Sequence, residues 1–286
     1  MAVVNTNISA SIAQAALIRN ERDLGKAMEQ LSTGRKINSA GDNASGLAIS
    51  ARMTSQIRGL DQAVRNANDA ISMINTAEGA LDEITDMLQR IRELAVQSGT
   101  GTTSSEDRIY LDAEFDHLLE EIDRVADNTQ WNGRNILDGT ADGGSSDSVD
   151  FQVGADPSQT VTVTFGNFTN AAGETMASLG GFQLNTSGIS SAIEYASDVM
   201  TAADLAIEAV STQRATFGAV SNRLEHAIDN LTNVKTQSEA SRSRILDTDY
   251  AAATSELART QIIQQAGTAM LAQANQLPQT VLALLQ

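Results

Sequence analysis

In the last stretch of the chain, Thr260 to Gln286, apolar residues recur at Ile263, Ala266, Met270, Ala274, Leu277, Val281 and Leu284, steps of three and four that trace one helical stripe. The opposite face holds Gln264, Gln265, Thr268, Gln273, Asn275, Gln276 and Gln279, and no residue of the stretch is charged. An apolar run of spanning length is missing, which argues against a membrane span. The start of the chain has the same character: Ala2 to Ile18 carries no charged side chain, and Val4, Ile8, Ile12, Ala15 and Ala16 again have helical spacing. Pairing two such ends buries one stripe of each and leaves a neutral remainder. Copies of the chain packing against one another would cover it; the alternative is a hairpin inside one globule.

Between the ends the pattern predicts long helices. A first runs from about residue 6 to 36, with Leu17, Leu24, Met28 and Leu31 on its seam. Asn, Ser, Gly and Asp then gather in INSAGDNASG, a structured connector. Met53, Ile57, Leu60, Val64, Ala67, Ile71, Ile74, Leu81, Ile84, Leu88, Ile91 and Ala95 follow in what reads as one heptad frame, a helix over about 45–97. SGTGTTSS closes it, Ser105 is placed to cap the next, and Leu111, Phe115, Leu118, Ile122 and Val125 form that helix's seam. Asn-Gly in NTQWNGRNILDG marks a tight turn, with Trp131 as a plug over the bundle end.

From 139 to about 186 the texture changes to alternation, Val149, Phe151, Val153 and then Val161, Val163, Phe165, with Pro157 in the join: a hairpin or small sheet. Heptad spacing resumes at Ile189, Ile193, Ala196, Met200, Ala203, Ile207, Val210, Phe217, Val220, Leu224, Ile228 and Leu231, and Asp247 to Asp249 break and cap before the final helix. The fold class is mainly α, a nested hairpin of long helices forming coiled-coil-like bundles, with a small β-hairpin region at the distal tip.

Composition sharpens this reading. Among 286 residues, aromatics are 3% and Pro two, poor material for a broad globular core and good material for Ala, Leu and Ile seams. A net charge of −17 argues against nucleic acid as a partner. Without Cys there is neither a disulfide nor a thiolate metal site. No basic region precedes an apolar core at the N-terminus, so no cleaved secretory signal is expected. Chemistry is sparse. His117 and His226 fall on acidic helices, no phosphate loop is present, and Asp138, Thr140, Asp142 and Gly143 open like a calcium loop but meet Val149 where a bidentate Glu is needed. No catalytic, cofactor or metal residue is assigned, and the chain is read as a non-enzyme.

The opening MAVVNTNISA, the connector LSTGRKINSAGDNASGLAIS, QRIRELAVQS, NTQWNGRNIL and the closing SRILDTDYAAATSELARTQIIQQAGTAMLAQANQLPQTVLALL together resemble bacterial flagellin, over nearly all of the chain outside 139–186. The resemblance implies a subunit that polymerises with itself into the flagellar filament, a hollow helical propeller for swimming; the alternative is a hook-filament junction or other flagellar structural protein of low copy number. It divides the chain into an inner core domain, 1–44 plus 247–286, an outer helical bundle, 45–138 plus 187–246, and a short variable hairpin region, 139–186. The outer domains that many flagellins insert in the middle are missing.

By the same resemblance the polymerisation core comprises Ile8, Ile12, Leu24, Met28, Leu31, Ile263, Met270, Leu277, Val281 and Leu284, and Gln273, Gln276 and Gln279 line a central channel. Arg90, Leu94 and Glu114 match positions read by the vertebrate innate immune receptor for flagellin. The other implied partners are a flagellar export chaperone at the C-terminal helix, the flagellar secretion apparatus, and the cap and junction proteins, with no cofactor, no nucleic acid and no membrane insertion. The implied location is extracellular, in the flagellum, reached without a cleaved signal.

Overall fold

The computed structural model describes residues 7–144, 146–169, 179, 180, 182, 184 and 189–284, with the side chains of 189–192 and 277–284 outside that description. Its helices are α1 (Ile8–Thr33), α2 (Ala44–Ser98), α3 (Ser105–Asn128), α4 (Ile189–Leu246) and α5 (Tyr250–Leu284). Two short antiparallel strand pairs complete it: β1 (Gln130–Trp131) with β2 (Arg134–Asn135), and β3 (Ser148–Gln152) with β4 (Thr160–Thr164). The contacts separate two compact units, 1–57 with 236–286 and 58–235, so each division falls inside a long helix.

In the second unit the core is aliphatic. Ala67, Ile74, Leu81, Ile84, Leu88, Ile91 and Ala95 of α2 are enclosed, with Ala196, Ala203, Val210, Phe217 and Leu224 of α4 and Phe115, Ile122 and Ala126 of α3. One column of the heptad frame expected for α2 holds, through Leu60, Ala67, Ile74, Leu81, Leu88 and Ala95, but its companion passes through buried Ala63, Ala70 and Ala77 and leaves Val64 and Ile71 half-buried beside it, while Glu78 turns out to reach Arg214 at 3.7 Å. Ile193, expected on the α4 seam, is exposed. Ala196 lies against Gly99, just past the end of α2, so Ile193 projects beyond the helix that would cover it. Along the antiparallel pair, Arg92 meets Asp204 at 2.7 Å, Arg214 meets Asp82 at 2.9 Å and Lys235 meets Asp61 at 2.6 Å. Exposed pairs like these align the helices more than they stabilise them.

Ser104, one residue before the expected cap, starts α3 with a reciprocal box in which its side chain accepts from the Asp107 amide and Asp107 accepts from the Ser104 amide. Buried Arg108 donates from Nε to the Ser98 carbonyl at 3.2 Å, satisfying an end carbonyl of α2. Asn132 and Gly133 both have positive φ, 51° and 77°, as a two-residue hairpin turn between β1 and β2 requires. Half-buried Trp131 packs against the core beside that turn.

The β3–β4 hairpin does not take the tip position expected of it. Asn66 Nδ2 donates to the Gln152 carbonyl at 2.9 Å, Gln213 Nε2 donates to the Thr164 carbonyl at 2.6 Å, and Ala155 crowds Gly59. It therefore lies along α2 and α4, with its turn roughly 60 Å from the end of α2. The reason is apolar: Val161, Val163 and Phe165 are buried on one face, and Phe165 meets Phe217 with ring centroids 5.4 Å apart.

In the first unit α1 ends at Gly34, and the two connectors pair: Lys36 N donates to Leu246 O at 2.7 Å and Thr248 N to Gly34 O at 3.0 Å. Asp42 organises the longer connector. One carboxylate oxygen accepts from the amides of Asn38 and Ser39 and from the Ser39 hydroxyl, and the other meets Lys26 Nζ at 3.0 Å. The Lys26 contact first, and the two amides after it, bring the Asp42 carboxyl down to about 2. Asn43 then accepts from Gly46 N and caps α2.

A lowered folded-state pKa means that the Asp42 contribution is complete above the unfolded value of 3.8 and is lost as pH falls through about 2. Asp42→Asn should therefore melt at a lower temperature than the parent at pH 7. The gap should shrink between pH 4 and pH 2 when both are followed by circular dichroism.

Candidate assembly surface

The two terminal helices meet along a seam that is legible residue by residue. On α1 it runs through Ala10, Ala13, Leu17, Asn20, Leu24, Ala27 and Leu31; apart from Gln30, the remaining side chains between Ile8 and Thr33 are exposed. On α5 it runs through Ala253, Leu257, Thr260, Gln264, Gly267, Leu271 and Ala274, and every other side chain from Tyr250 to Gln276 is exposed. Both series step by three and four without a break, the spacing of a two-stranded coiled coil. The pair is antiparallel: Asn7 Nδ2 donates to Ala274 O at 2.8 Å and Asn20 Nδ2 to Thr260 O at 2.8 Å. Asn7 also caps α1 by accepting from Ala10 N, and Asp249 caps α5 by accepting from Ala251 N.

Small residues set the separation. A Cβ on Gly267 would stand 2.9 Å from Leu17 Cδ2, so a larger residue here would displace the Leu17 side chain from its place in the seam. Asn20 and Thr260 make a buried polar layer in an otherwise largely apolar seam, 6% and 2% exposed. The Thr260 hydroxyl is returned to its own helix, donating to the carbonyls of Glu256 and Leu257. Such a layer holds one register, because a slipped pairing leaves the Asn amide without its acceptor.

The seam differs from the stripe expected on hydrophobicity. Ile263 and Met270 lie beside it, 42% and 64% exposed, and only Ala274 belongs to both. On α1, Leu24 and Leu31 are in the seam, whereas Ile8, Ile12 and Met28 are exposed at 59%, 66% and 54%. The side chains of Leu277, Val281, Leu284 and Gln279 lie outside the described residues. Ile18 and Ile262, which the periodicity left unassigned, are also exposed. A groove of about 360 Å³ runs beside the seam, lined by Ile12, Ala15, Ala16, Arg19, Asn20 and Asp23. A second, of about 280 Å³, is lined by uncharged Gln261, Gln264, Gln265 and Thr268. Gln273 and Gln276 are exposed on α5.

In the central unit, Arg90 and Glu114 are brought together at 2.8 Å on the surface of α2 and α3, and Arg90 also binds Glu93 at 3.0 Å. Both carboxylates raise the Arg90 pKa, Glu114 foremost through its hydrogen bond. Leu94 is enclosed in the core. The acidic turn that opened like a calcium loop spends its oxygens on its own backbone. Asp138 accepts from Thr140 and Asn135, and Asp142 from Gly144 and Ser146. Burial pushes the Asp138 carboxyl up, but the Thr140 and Asn135 hydrogen bonds outweigh it and leave it lowered. Among the described residues no group of three or more His, Asp or Glu could hold a metal ion, and no helix is long and apolar enough to cross a membrane.

Residues 4–142 match the bacterial flagellin N-terminal helical region and residues 200–285 the bacterial flagellin C-terminal helical region. A flagellin of Halalkalibacterium halodurans is 45% identical over 99% of this chain and 100% of its own length. The flagellar filament 33 kDa core protein of Treponema phagedenis is 43% identical over 99% of this chain and 100% of its own length. Among solved structures, Bacillus cereus flagellin superposes with a TM-score of 0.48 at 32% identity, covering 58% of this chain and 88% of that one. With both terminal regions matched and full-length relatives at this identity, the chain belongs to the bacterial flagellin family.

Proposed function

We propose that this chain, a structural subunit of the bacterial flagellar filament, joins its neighbours through the exposed apolar rows of α1 and α5. The observation that carries the reading is that Ile8, Ile12, Ile262, Ile263 and Met270 all stand in water on the terminal pair although these helices have already buried one stripe each. Further copies of the same pair would cover the rows. Ordering the ends costs about 1 to 2 kcal/mol per backbone residue, which burial between subunits offsets on assembly.

In this reading the terminal pair forms the inner core of a hollow filament, and the neutral Gln face of α5, including Gln273, Gln276 and Gln279, lines its channel. Fixed charges there would hold back a passing unfolded chain. The subunit leaves the cell unfolded through the flagellar secretion apparatus, its C-terminal helix shielded by an export chaperone, and cap and junction proteins bound the polymer. The exposed Arg90–Glu114 pair supports recognition of the free subunit by the vertebrate innate receptor. Leu94, enclosed beneath, contributes by holding α2 in place.

Seeded elongation followed by electron microscopy tests the assembly reading. The full chain should extend seeds and a chain lacking 264–286 should not; a full chain that stays monomeric under every condition sinks the proposal. Ile263→Asp puts a carboxylate into the contact and should raise the concentration needed for growth about tenfold or more, with the melting of the central unit unchanged. Asn20→Leu should raise the helicity of the free chain yet give slower or irregular growth, since it adds apolar burial and removes the element that holds register. Arg90→Ala with Glu114→Ala should lower the response of receptor-reporter cells about tenfold relative to the parent monomer, and an equal response would separate this pair from recognition.

A further inference from the structure

Eight methionines occur in the chain, and among the described residues their surroundings differ sharply. Met73 is 1% exposed in the central core, and Met53, Met87 and Met200 are half-buried. Met270 on α5 and Met28 on α1 are instead 64% and 54% exposed, and both lie on the terminal pair. Met270 shares with Ile263 the heptad column directly flanking the seam, seven residues apart, and Met28 immediately follows the seam residue Ala27. A thioether suits such a place, being apolar and adaptable enough to fill an irregular contact between helices. Its sulfur is also the one oxidisable atom of these apolar rows.

We infer that Met270, together with Met28, is an oxidation site through which peroxide withdraws the free subunit from assembly. The sulfur attacks one oxygen of hydrogen peroxide. An S–O bond forms as the O–O bond breaks, the sulfur loses two electrons to become the sulfoxide, and the reduced peroxide leaves as water. The product carries a strong hydrogen-bond acceptor on a side chain that assembly takes out of water, and setting it against the apolar side chains of a neighbouring copy costs free energy. In the free chain the change costs nothing, because both side chains stand in water. The effect is therefore specific to assembly, and it is reversible, since sulfoxide reductases restore the thioether. Once assembled, the same contacts shield the sulfur. The oxidant acts on subunits not yet incorporated and spares the filament. This inference rests on the proposed burial of the terminal rows between copies.

The test treats the full-length chain with graded hydrogen peroxide, locates sulfoxide by peptide mass spectrometry, and measures elongation from untreated seeds alongside far-ultraviolet circular dichroism. Met270 and Met28 should oxidise before Met53, Met87 and Met200, and Met73 last. Elongation should fall about tenfold or more as Met270 converts, with the dichroism unchanged, and the two sulfoxide reductases should restore it. Met28→Leu with Met270→Leu, a volume-conserving change, should elongate equally well before and after the same dose. Met270→Gln, a permanently polar side chain of similar length, should elongate slowly without peroxide.

Normal elongation by a chain fully converted at Met270 overturns the inference. So does equal loss in the double Leu variant, or a collapse of helicity in step with the loss of growth, which would assign the effect to folding. If assembled filaments take up sulfoxide at Met270 as fast as the free chain, the shielding is wrong and the inference fails with it. Failure of the untreated chain to elongate is a separate result, which removes the assembly reading itself and this inference with it.

Discussion

Two helices packed against each other can bury one stripe of each and no more. This limit governs the terminal part of the chain. The seam takes Leu17, Leu24, Leu31, Leu257 and Leu271 with Asn20, Gln264 and a set of small residues, and apart from Gln30 the described side chains outside it face water. At about 25 cal/mol for each Å² of apolar surface, a seam rich in Ala and Gly yields little against the cost of ordering two long helices. In the proposed assembly the ends of this chain gain from neighbours what they do not supply to one another. The central unit is under no such limit. With three helices and a hairpin available, α2 is covered on several sides, and Leu81, Ile84, Leu88 and Ile91 are fully enclosed.

Polar groups are used sparingly and where they decide geometry. Asn20 against Thr260 adds little net stability, since the carbonyl it reaches already belongs to a helix, but it distinguishes one register from its neighbours. Asp42 gathers the connector around one carboxylate, so the chain leaves α1 and enters α2 by a fixed path. Asn66 and Gln213 hold the hairpin by its backbone at Gln152 and Thr164, at two places that alternation of apolar residues does not specify. Arg108 does the same for the end of α2 from within the core, at the cost of burying a guanidinium.

The two proposed assembly rows differ in their surroundings: the α5 row is uncharged from Thr260 onward, whereas Ile12 on α1 shares its groove with Arg19 and Asp23. On α5, Ile263 and Met270 lie among Gln264, Gln265 and Thr268, so a contact made through this row alone desolvates no ion, and a change in salt finds no charge to screen on it. A sulfoxide is one of the few modifications that keeps such a surface neutral while making it incompatible with apolar contact.

The sequence by itself determined the five helices to within a few residues, the Asn132–Gly133 turn, the β3–β4 hairpin and the absence of charge at both ends. These follow from local period, turn chemistry and composition, which act over a few residues at a time. Only the tertiary structure decided which of two overlapping stripes on α5 meets α1. Hydrophobicity ranks Ile263 and Met270 above Thr260, Gln264 and Gly267, but close approach favours the smaller set, because Gly267 leaves the space that Leu17 occupies. The same holds for the burial of Ala63, Ala70 and Ala77 in place of Val64 and Ile71, the exposure of Ile193 beyond the end of α2 and the hairpin's place along the bundle. Each depends on what stands opposite, and a residue's partner across a bundle is set by the packing of the whole helix, not by its neighbours in the chain.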